Sequence, residues 1–150
     1  MRIVHEPSRN LVVMVFPTTF QDLGERVGPA SEKVMGFLLS RNAPPAGPAV
    51  VYIERDGQGL LAAAGYSVPR ELDGEGDVMP FRLPATDVAT TTHVGSHRDL
   101  PRVYDALRRG AAEHGRQVDE SGGVWEEHWP GPDGSPEQSR IEVFWPLMPA

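Results

Sequence analysis

The residues Asp87–Val94 (DVATTTHV), followed by Ser96–Gly115 (SHRDLPRVYDALRRGAAEHG), predict a strand that leads into a helix. Valine and threonine, which are enriched in strands, make up most of the first segment. Ser96-His97-Arg98-Asp99 is a capping-box pattern that predicts the start of the helix, and Gly115 predicts its end. The apolar face of this helix would carry Leu100, Val103, Leu107 and Ala111.

Two more strands follow this helix, and the first half of the chain has the same order of elements. The later strands are predicted at Gly123–Trp129 (GVWEEHW) and Arg140–Trp145 (RIEVFW). The first half is predicted to contain a strand at Arg9–Phe16 (RNLVVMVF), a helix that opens at Pro29, and strands at Val50–Glu54 (VVYIE) and Leu60–Val68 (LLAAAGYSV).

A strand–helix–strand–strand order that occurs twice predicts an α+β fold. We expect a duplicated βαββ unit that forms one antiparallel sheet with two main helices packed on it. The chain is then a single domain over residues 1–150, with pseudo-repeats at about 1–70 and 83–150. Because grooves at internal interfaces favour small molecules, a central ligand groove is expected where the halves meet.

The composition restricts the classes of function. Fourteen basic and 21 acidic residues give a net charge of −7, which argues against direct binding of nucleic acid. The chain has no cysteine, so disulfides, thiolate nucleophiles and thiolate metal sites are excluded. It has no signal-peptide pattern and no apolar run near the ~20 residues of a membrane span, which predicts a cytoplasmic protein.

Four short motifs occur in a fixed order from the middle of the chain to its end. They are Leu83-Pro84-Ala85, His93-Val94-Gly95, Trp125-Glu126 and Trp145-Pro146-Leu147. In this order they resemble the GyrI-like family, whose members carry LPA, HxGPY, WExY and WPL patterns. The resemblance covers nearly the whole chain and implies the duplicated βαββ fold. The family includes effector-binding domains of AraC-type and multidrug-sensing regulators, drug-binding proteins, gyrase inhibitors and hydrolases of cyclopropane-bearing alkylators.

The chain departs from the family patterns at two tyrosines. It has Gly95-Ser96-His97 where the family has GPY, and His128 where the family has the tyrosine of WExY. Chemistry that depends on those tyrosines is therefore not expected here.

The resemblance selects Glu126 as the carboxylate inside the ligand groove. Side chains alternate along a strand, so Glu126 and His128 should project to one side and Glu127 to the other. A carboxylate in an apolar groove would attract a cation or accept a strong hydrogen bond. The alternative is that both glutamates are solvated charges on an exposed strand.

The remaining candidate contacts are aromatic, except for Met79. If the two halves superpose, Tyr52 is the counterpart of Glu126 and flanks the groove from the other side. The alternative for Tyr52 is a core tyrosine with its hydroxyl at the rim. The candidate walls of the groove, each of which could instead pack in the core, are Trp125, Trp129, Phe144, Trp145, Phe81 and Met79.

No metal site and no cofactor are predicted. His93 and His97 are four residues apart, but His93 lies on a predicted strand, and we expect it to stabilise the turn after that strand. His128 shares a face with Glu126, and a Glu–His pair can hold and deprotonate a water.

Two functions follow. The first is stand-alone binding of hydrophobic, cationic or aromatic small molecules, for sequestration or sensing, without direct contact to nucleic acid. The second is a hydrolase that opens cyclopropane-type electrophiles with Glu126 as general base and His128 orienting the water. The sequence also leaves open whether the chain binds a protein partner or forms a homodimer. The expected ligand contacts are Glu126, Tyr52, Trp125, Trp145, Phe144, His128 and Phe81.

Overall fold

The computed structural model describes residues 1–95, 99–130 and 139–150. Within these ranges the chain forms eight strands and two helices. In chain order they are β1 (Arg2–Glu6), β2 (Arg9–Thr18), α1 (Phe20–Ser40), β3 (Ala49–Asp56), β4 (Gly59–Val68), β5 (Val78–Leu83), β6 (Thr86–Val94), α2 (Leu100–Glu113), β7 (Val124–Trp129) and β8 (Arg140–Pro146).

All the strands join one antiparallel sheet in the order β1-β6-β8-β7-β3-β4-β2-β5. The predicted α+β architecture, one antiparallel sheet with two helices, is confirmed. The order β2-α1-β3-β4 in the first half matches β6-α2-β7-β8 in the second, and the halves meet where β3 pairs with β7. The origin of this arrangement in a sequence duplication stays a prediction.

The sheet curls strongly, as two short links between its ends show. β5 lies at one edge and β6 next to the opposite edge, so in a flat sheet they would be on the order of 30 Å apart. Only Pro84 and Ala85 join them, and a chain that short spans at most roughly 11 Å. Pro7 and Ser8 join β1 to β2 across the same gap. The two ends of the sheet are therefore close together.

This curl gives the sheet two different faces. The helix face carries both helices, with α1 over β2 and β4 and α2 over β6. The inner face has its own apolar cluster, to which strands near both edges and strands at the centre of the sheet contribute. Its buried members are Leu11, Val13, Val50, Ala63, Leu83, Val88, Trp125 and Phe144.

Helix α1 begins earlier than predicted. It starts at Phe20, where the side chain of Thr19 caps it by accepting a hydrogen bond from the Asp22 amide at 3.2 Å. Pro29 lies inside the helix, so its interpretation as a first-turn proline is wrong. The apolar stripe that the prediction traced from Ala30 in fact extends upstream. The buried residues along it are Leu23, Val27, Ala30, Ser31, Val34 and Leu38.

Helix α2 agrees with its prediction more closely. It runs from Leu100, with Asp99 as the capping residue, to Glu113. Gly115, predicted to end it, has a φ of 69°. The predicted cap residues Ser96, His97 and Arg98 lie outside the described residues. The buried residues of the helix are Leu100, Tyr104, Leu107 and Ala111.

The sequence did not predict strands β1 and β5. Both are edge strands. An edge position tolerates Pro80 of β5, because the N–H that proline lacks can face away from the neighbouring strand. Met79 and Phe81, which the sequence predicts as groove walls, belong to β5. In the part of the chain that the structure describes, no helix is long and apolar enough to span a membrane.

Candidate functional site

Glu126 is fully buried in the middle of the sheet. It lies on β7 opposite Val51 of β3 and Val143 of β8, with a relative exposure of 0%. The Tyr104 hydroxyl donates a hydrogen bond to its Oε2 at 3.2 Å. The Nε2 atom of His128 lies 2.8 Å from its Oε1 and donates when it carries a proton. The carboxylate therefore joins a central strand to helix α2.

The two adjacent glutamates face opposite sides of the sheet, as the strand alternation predicts. Glu126 and His128 point to the helix face. Glu127 points to the inner face, where Arg9 donates a hydrogen bond to its Oε1 at 2.9 Å. The guanidinium of Arg9 also lies 5.6 Å from the centre of the Phe144 ring. Glu127 is thus a paired charge, and neither glutamate is a freely solvated one.

Tyr104 is a site residue that the sequence analysis missed. Burial raises its pKa far above the ordinary value, and the charge of Glu126 and the hydrogen bond to it act in the same direction. The hydroxyl therefore stays protonated and remains a donor. A signal for it existed, because Tyr104 lies four residues after Leu100 and three before Leu107, on the predicted buried face.

A cavity of about 380 Å³ opens on the helix face between the two helices. Its aromatic walls come from both halves of the chain. The ring centres of Phe20 and Tyr104 are 5.8 Å apart, and those of Tyr104 and Trp145 are 5.5 Å apart with nearly perpendicular planes. The lining residues are Phe20, Ile53, Arg55, Leu60, Tyr104, Arg108, Glu120, Gly122, Val124 and Trp145.

Tyr104 links this cavity to Glu126. Its ring lines the cavity, whereas its hydroxyl bonds the carboxylate, which is not itself part of the lining. Phe20 packs against the apolar clusters under both helices, so it closes the space between them. The cavity at the junction of the halves is thus aromatic, with the carboxylate behind one of its walls.

Among the aromatic residues expected to contact a ligand, Trp145 lines the cavity and four others lie on the inner face. Trp125 and Phe144 stack there with ring centres 5.8 Å apart, and Tyr52 contacts Phe81 at 4.9 Å. Their positions follow from alternation, since Trp125 precedes Glu126 and Phe144 precedes Trp145 in their strands. The structure therefore does not bring these four residues together with Glu126.

Tyr52 is not the counterpart of Glu126, which corrects the sequence-based superposition. Tyr52 pairs with Trp125, whereas Val51 pairs with Glu126, so Tyr52 faces the other side of the sheet. Its ring packs so closely on Gly123 that a Cβ at that position would lie 2.2 Å from it. Burial raises the pKa of Tyr52, and the charge of Glu54 raises it further.

The sequence matches the GyrI-like small molecule binding domain over residues 1–148, and the chain belongs to that family. The family is one of small-molecule binding domains. No curated protein sequence matches the chain.

Several solved structures share the fold. The C-terminal domain of EcmrR has a TM-score of 0.74 and 15% identity, with 99% of this chain and 97% of that chain covered. A hydrolase encoded by lin2189 from Listeria innocua has a TM-score of 0.69 and 10% identity, with 98% and 91% covered. SAV2435 bound to tetraphenylphosphonium has a TM-score of 0.64 and 12% identity, with 98% and 93% covered.

At these identities the likeness concerns the fold alone. In the complex of EcmrR with DNA, this chain covers 57% of the EcmrR chain at a TM-score of 0.74 and 15% identity. The chain therefore spans little more than half the length of that regulator.

Proposed function

We propose that the protein binds hydrophobic, aromatic small molecules in the cavity between α1 and α2, for sequestration or sensing. The observation that carries this proposal is the 380 Å³ cavity walled by Phe20, Tyr104 and Trp145 at the junction of the two halves. Ligand pockets are concave, largely apolar and of about 300–1,000 Å³, and they concentrate at internal interfaces. The membership of a small-molecule binding family supports the same function.

Each aromatic wall offers a different contact. Phe20 and the Tyr104 ring offer apolar faces, and Trp145 is held in place because its Nε1 donates to the Asp119 carbonyl at 3.0 Å. Glu126 acts in this proposal as a positioning residue, because it accepts the Tyr104 hydroxyl and thereby fixes the ring that lines the cavity. Preorganised walls of this kind reduce the entropy cost of binding.

Replacing Gly122 with phenylalanine is expected to block the cavity and lower the affinity for a neutral aromatic probe at least about ten-fold. Gly122 lines the cavity, and a Cβ added to it would meet only the Asp119 carboxylate at 3.8 Å, so the fold has room for the change. Titration with the fluorescent dye phenylnaphthylamine measures the effect.

The matched control is Gly47→Phe, since a Cβ at Gly47 meets nothing within 4 Å and the residue lies away from the cavity. The control should bind the dye as the unmodified protein does. Equal binding by all three proteins would mean that the dye occupies a different place.

A hydrolase is the second candidate, because Tyr104, Glu126 and His128 form a hydrogen-bonded acid–base cluster. Glu126 would take a proton from a water held by His128, and the water oxygen would bond to a carbon of a strained ring. The ring C–C bond would break, and the released carbon would take up a proton. The hydrolase from Listeria innocua supports this candidate only through its fold.

Mass spectrometry of a cyclopropane-bearing alkylator after incubation separates the two functions. Catalysis gives a product heavier by one water, and Glu126→Gln should abolish it because an amide cannot act as the base. Binding without conversion gives an unchanged ligand. Product that persists at the same rate in Glu126→Gln would exclude Glu126 as the base.

A role in transcription would require a DNA-binding unit besides these residues. The net charge of −7 opposes direct contact with phosphates. EcmrR, whose C-terminal domain has this fold, was observed in complex with DNA. By this proposal the present domain supplies the ligand-sensing part of any such system.

A further inference from the structure

The side chains that line the cavity between the helices include more cations than anions. The ionisable side chains that line it, besides Tyr104, are Arg55, Arg108 and Glu120. Two of these side chains are cationic and one is anionic, and the Asp105 carboxylate bonds Arg108 from outside the lining. Charges at the rim act on a bound ligand more strongly than distant charges of the chain do, because screening limits charge effects to about 10 Å.

The Arg55 guanidinium has no partner among the residues that the structure describes. Arg55 lies near the end of β3, and within residues 1–95, 99–130 and 139–150 its side chain makes no hydrogen bond or ion pair. An arginine presents five N–H donors in a fixed planar fork that matches carboxylate and sulfonate oxygens. Arg55 is therefore an unused anion-binding group at the mouth of an aromatic cavity.

Arg108 is positioned next to the aromatic wall. Its guanidinium lies 4.8 Å from the centre of the Trp145 ring and bonds Glu120 and Asp105 at 2.8 Å each. Both carboxylates are largely exposed, at 57% for Glu120 and 67% for Asp105, and exposed ion pairs of this kind are weak. An anionic ligand can therefore replace Glu120 as a partner of Arg108 while Asp105 stays in place.

A cation lacks a comparable partner inside the cavity. The Glu126 carboxylate is fully buried, is bonded by Tyr104 and His128, and does not line the cavity. Glu120 is the sole lining carboxylate among the described residues, and Arg108 already pairs with it. A cation bound there would also lie near two guanidinium groups, which costs free energy.

Building on the proposed function, we propose that this cavity selects aromatic ligands that carry an anionic group, a carboxylate or sulfonate, held by Arg55 and Arg108 at the rim. The aromatic body packs against Phe20, Tyr104 and Trp145, and the anion lies at the mouth. Carboxylated or sulfonated polycyclic compounds are the ligand class that fits this arrangement.

Two dyes with one ring skeleton test the proposal. Anilinonaphthalenesulfonate and phenylnaphthylamine differ in the sulfonate, and tetraphenylphosphonium serves as the cationic probe. Titrations at fixed ionic strength should give the sulfonate dye roughly ten-fold tighter binding than the neutral dye, and both should be weakened by Gly122→Phe. Arg55→Glu should weaken the sulfonate dye about ten-fold and change the neutral dye less than about two-fold.

The control for the change of charge is Arg70→Glu, because Arg70 is exposed and does not line the cavity. This variant should leave both dyes within about two-fold of the unmodified protein. Suppose that Gly122→Phe weakens the neutral dye but the sulfonate dye binds the unmodified protein no more tightly than the neutral dye does. In that case the anion preference is wrong and the proposed function stands. Tighter binding of tetraphenylphosphonium than of the sulfonate dye also overturns it. If Gly122→Phe weakens neither dye, the proposed function fails with it.

Discussion

Replacing Gly65 with alanine is expected to lower the free energy of unfolding by more than about 4 kcal/mol, a large part of the total for a domain of this size. Gly65 lies on β4 opposite Val13 of β2. A Cβ at this position would lie 1.9 Å from the Val12 carbonyl oxygen, a contact that only movement of one strand away from the other can relieve. Such movement would break the β2–β4 ladder, which covers nine residue pairs.

Chemical denaturation, monitored by far-ultraviolet circular dichroism, measures this loss of stability. The matched control is Gly36→Ala inside helix α1, where a Cβ meets nothing within 4 Å. Alanine there should raise the stability by about 0.5–1 kcal/mol, since it has the higher helix propensity. If Gly65→Ala proves no less stable than Gly36→Ala, the close approach of β2 and β4 is wrong.

Replacing Trp145 with alanine is expected to cost about 3–5 kcal/mol of stability and to abolish binding of aromatic probes. Trp145 is 4% exposed, contacts Tyr104 edge-on, lies under the guanidinium of Arg108 and donates its indole N–H to Asp119. Its loss removes a cavity wall and leaves a void next to Tyr104. Denaturation and dye titration, the latter under conditions where the variant stays folded, measure the two effects.

Trp129 provides the control for the loss of an indole. It is 38% exposed and contacts Arg140 at 5.3 Å, away from the cavity. Trp129→Ala should cost less than about 1 kcal/mol and leave dye binding unchanged. An equal loss of binding in the two variants would show that the probe does not depend on the wall formed by Trp145.

Local patterns were sufficient to predict much of the fold. Short apolar and aromatic runs between turn residues predicted six of the eight strands that the described residues form, and the apolar spacing after Leu100 predicted α2 with its end at Gly115. The first half of α1 was missed because Gly24, Gly28 and Pro29 resemble helix breakers. The buried stripe from Leu23 to Val27 outweighs them, because tertiary packing overrides helix propensity.

The site was only partly predictable, because its geometry depends on register. Alternation alone assigned Glu126 and His128 to one face. Whether Tyr52 shares that face depends on how β3 pairs with β7, a pairing between distant segments that no local pattern specifies. A shift of one residue in the pairing of β3 with β7 would have placed Tyr52, and not Val51, opposite Glu126. Helical periodicity places Tyr104 on the buried face of α2, but only the structure shows that its hydroxyl donates a hydrogen bond to Glu126.

The most direct test of where the ligand binds is the indole N–H signal of each tryptophan during a titration with phenylnaphthylamine, observed by ¹⁵N–¹H correlation spectra and assigned with Trp→Phe variants. Trp145 lies at the cavity and donates to Asp119, whereas Trp125 lies on the inner face, and its Nε1 has no hydrogen-bond partner in the described part of the chain. Occupation of the cavity between the helices should shift the Trp145 signal strongly and the Trp125 signal little. A shift of Trp125 with Trp145 unmoved would place the ligand on the inner face and contradict the proposed site.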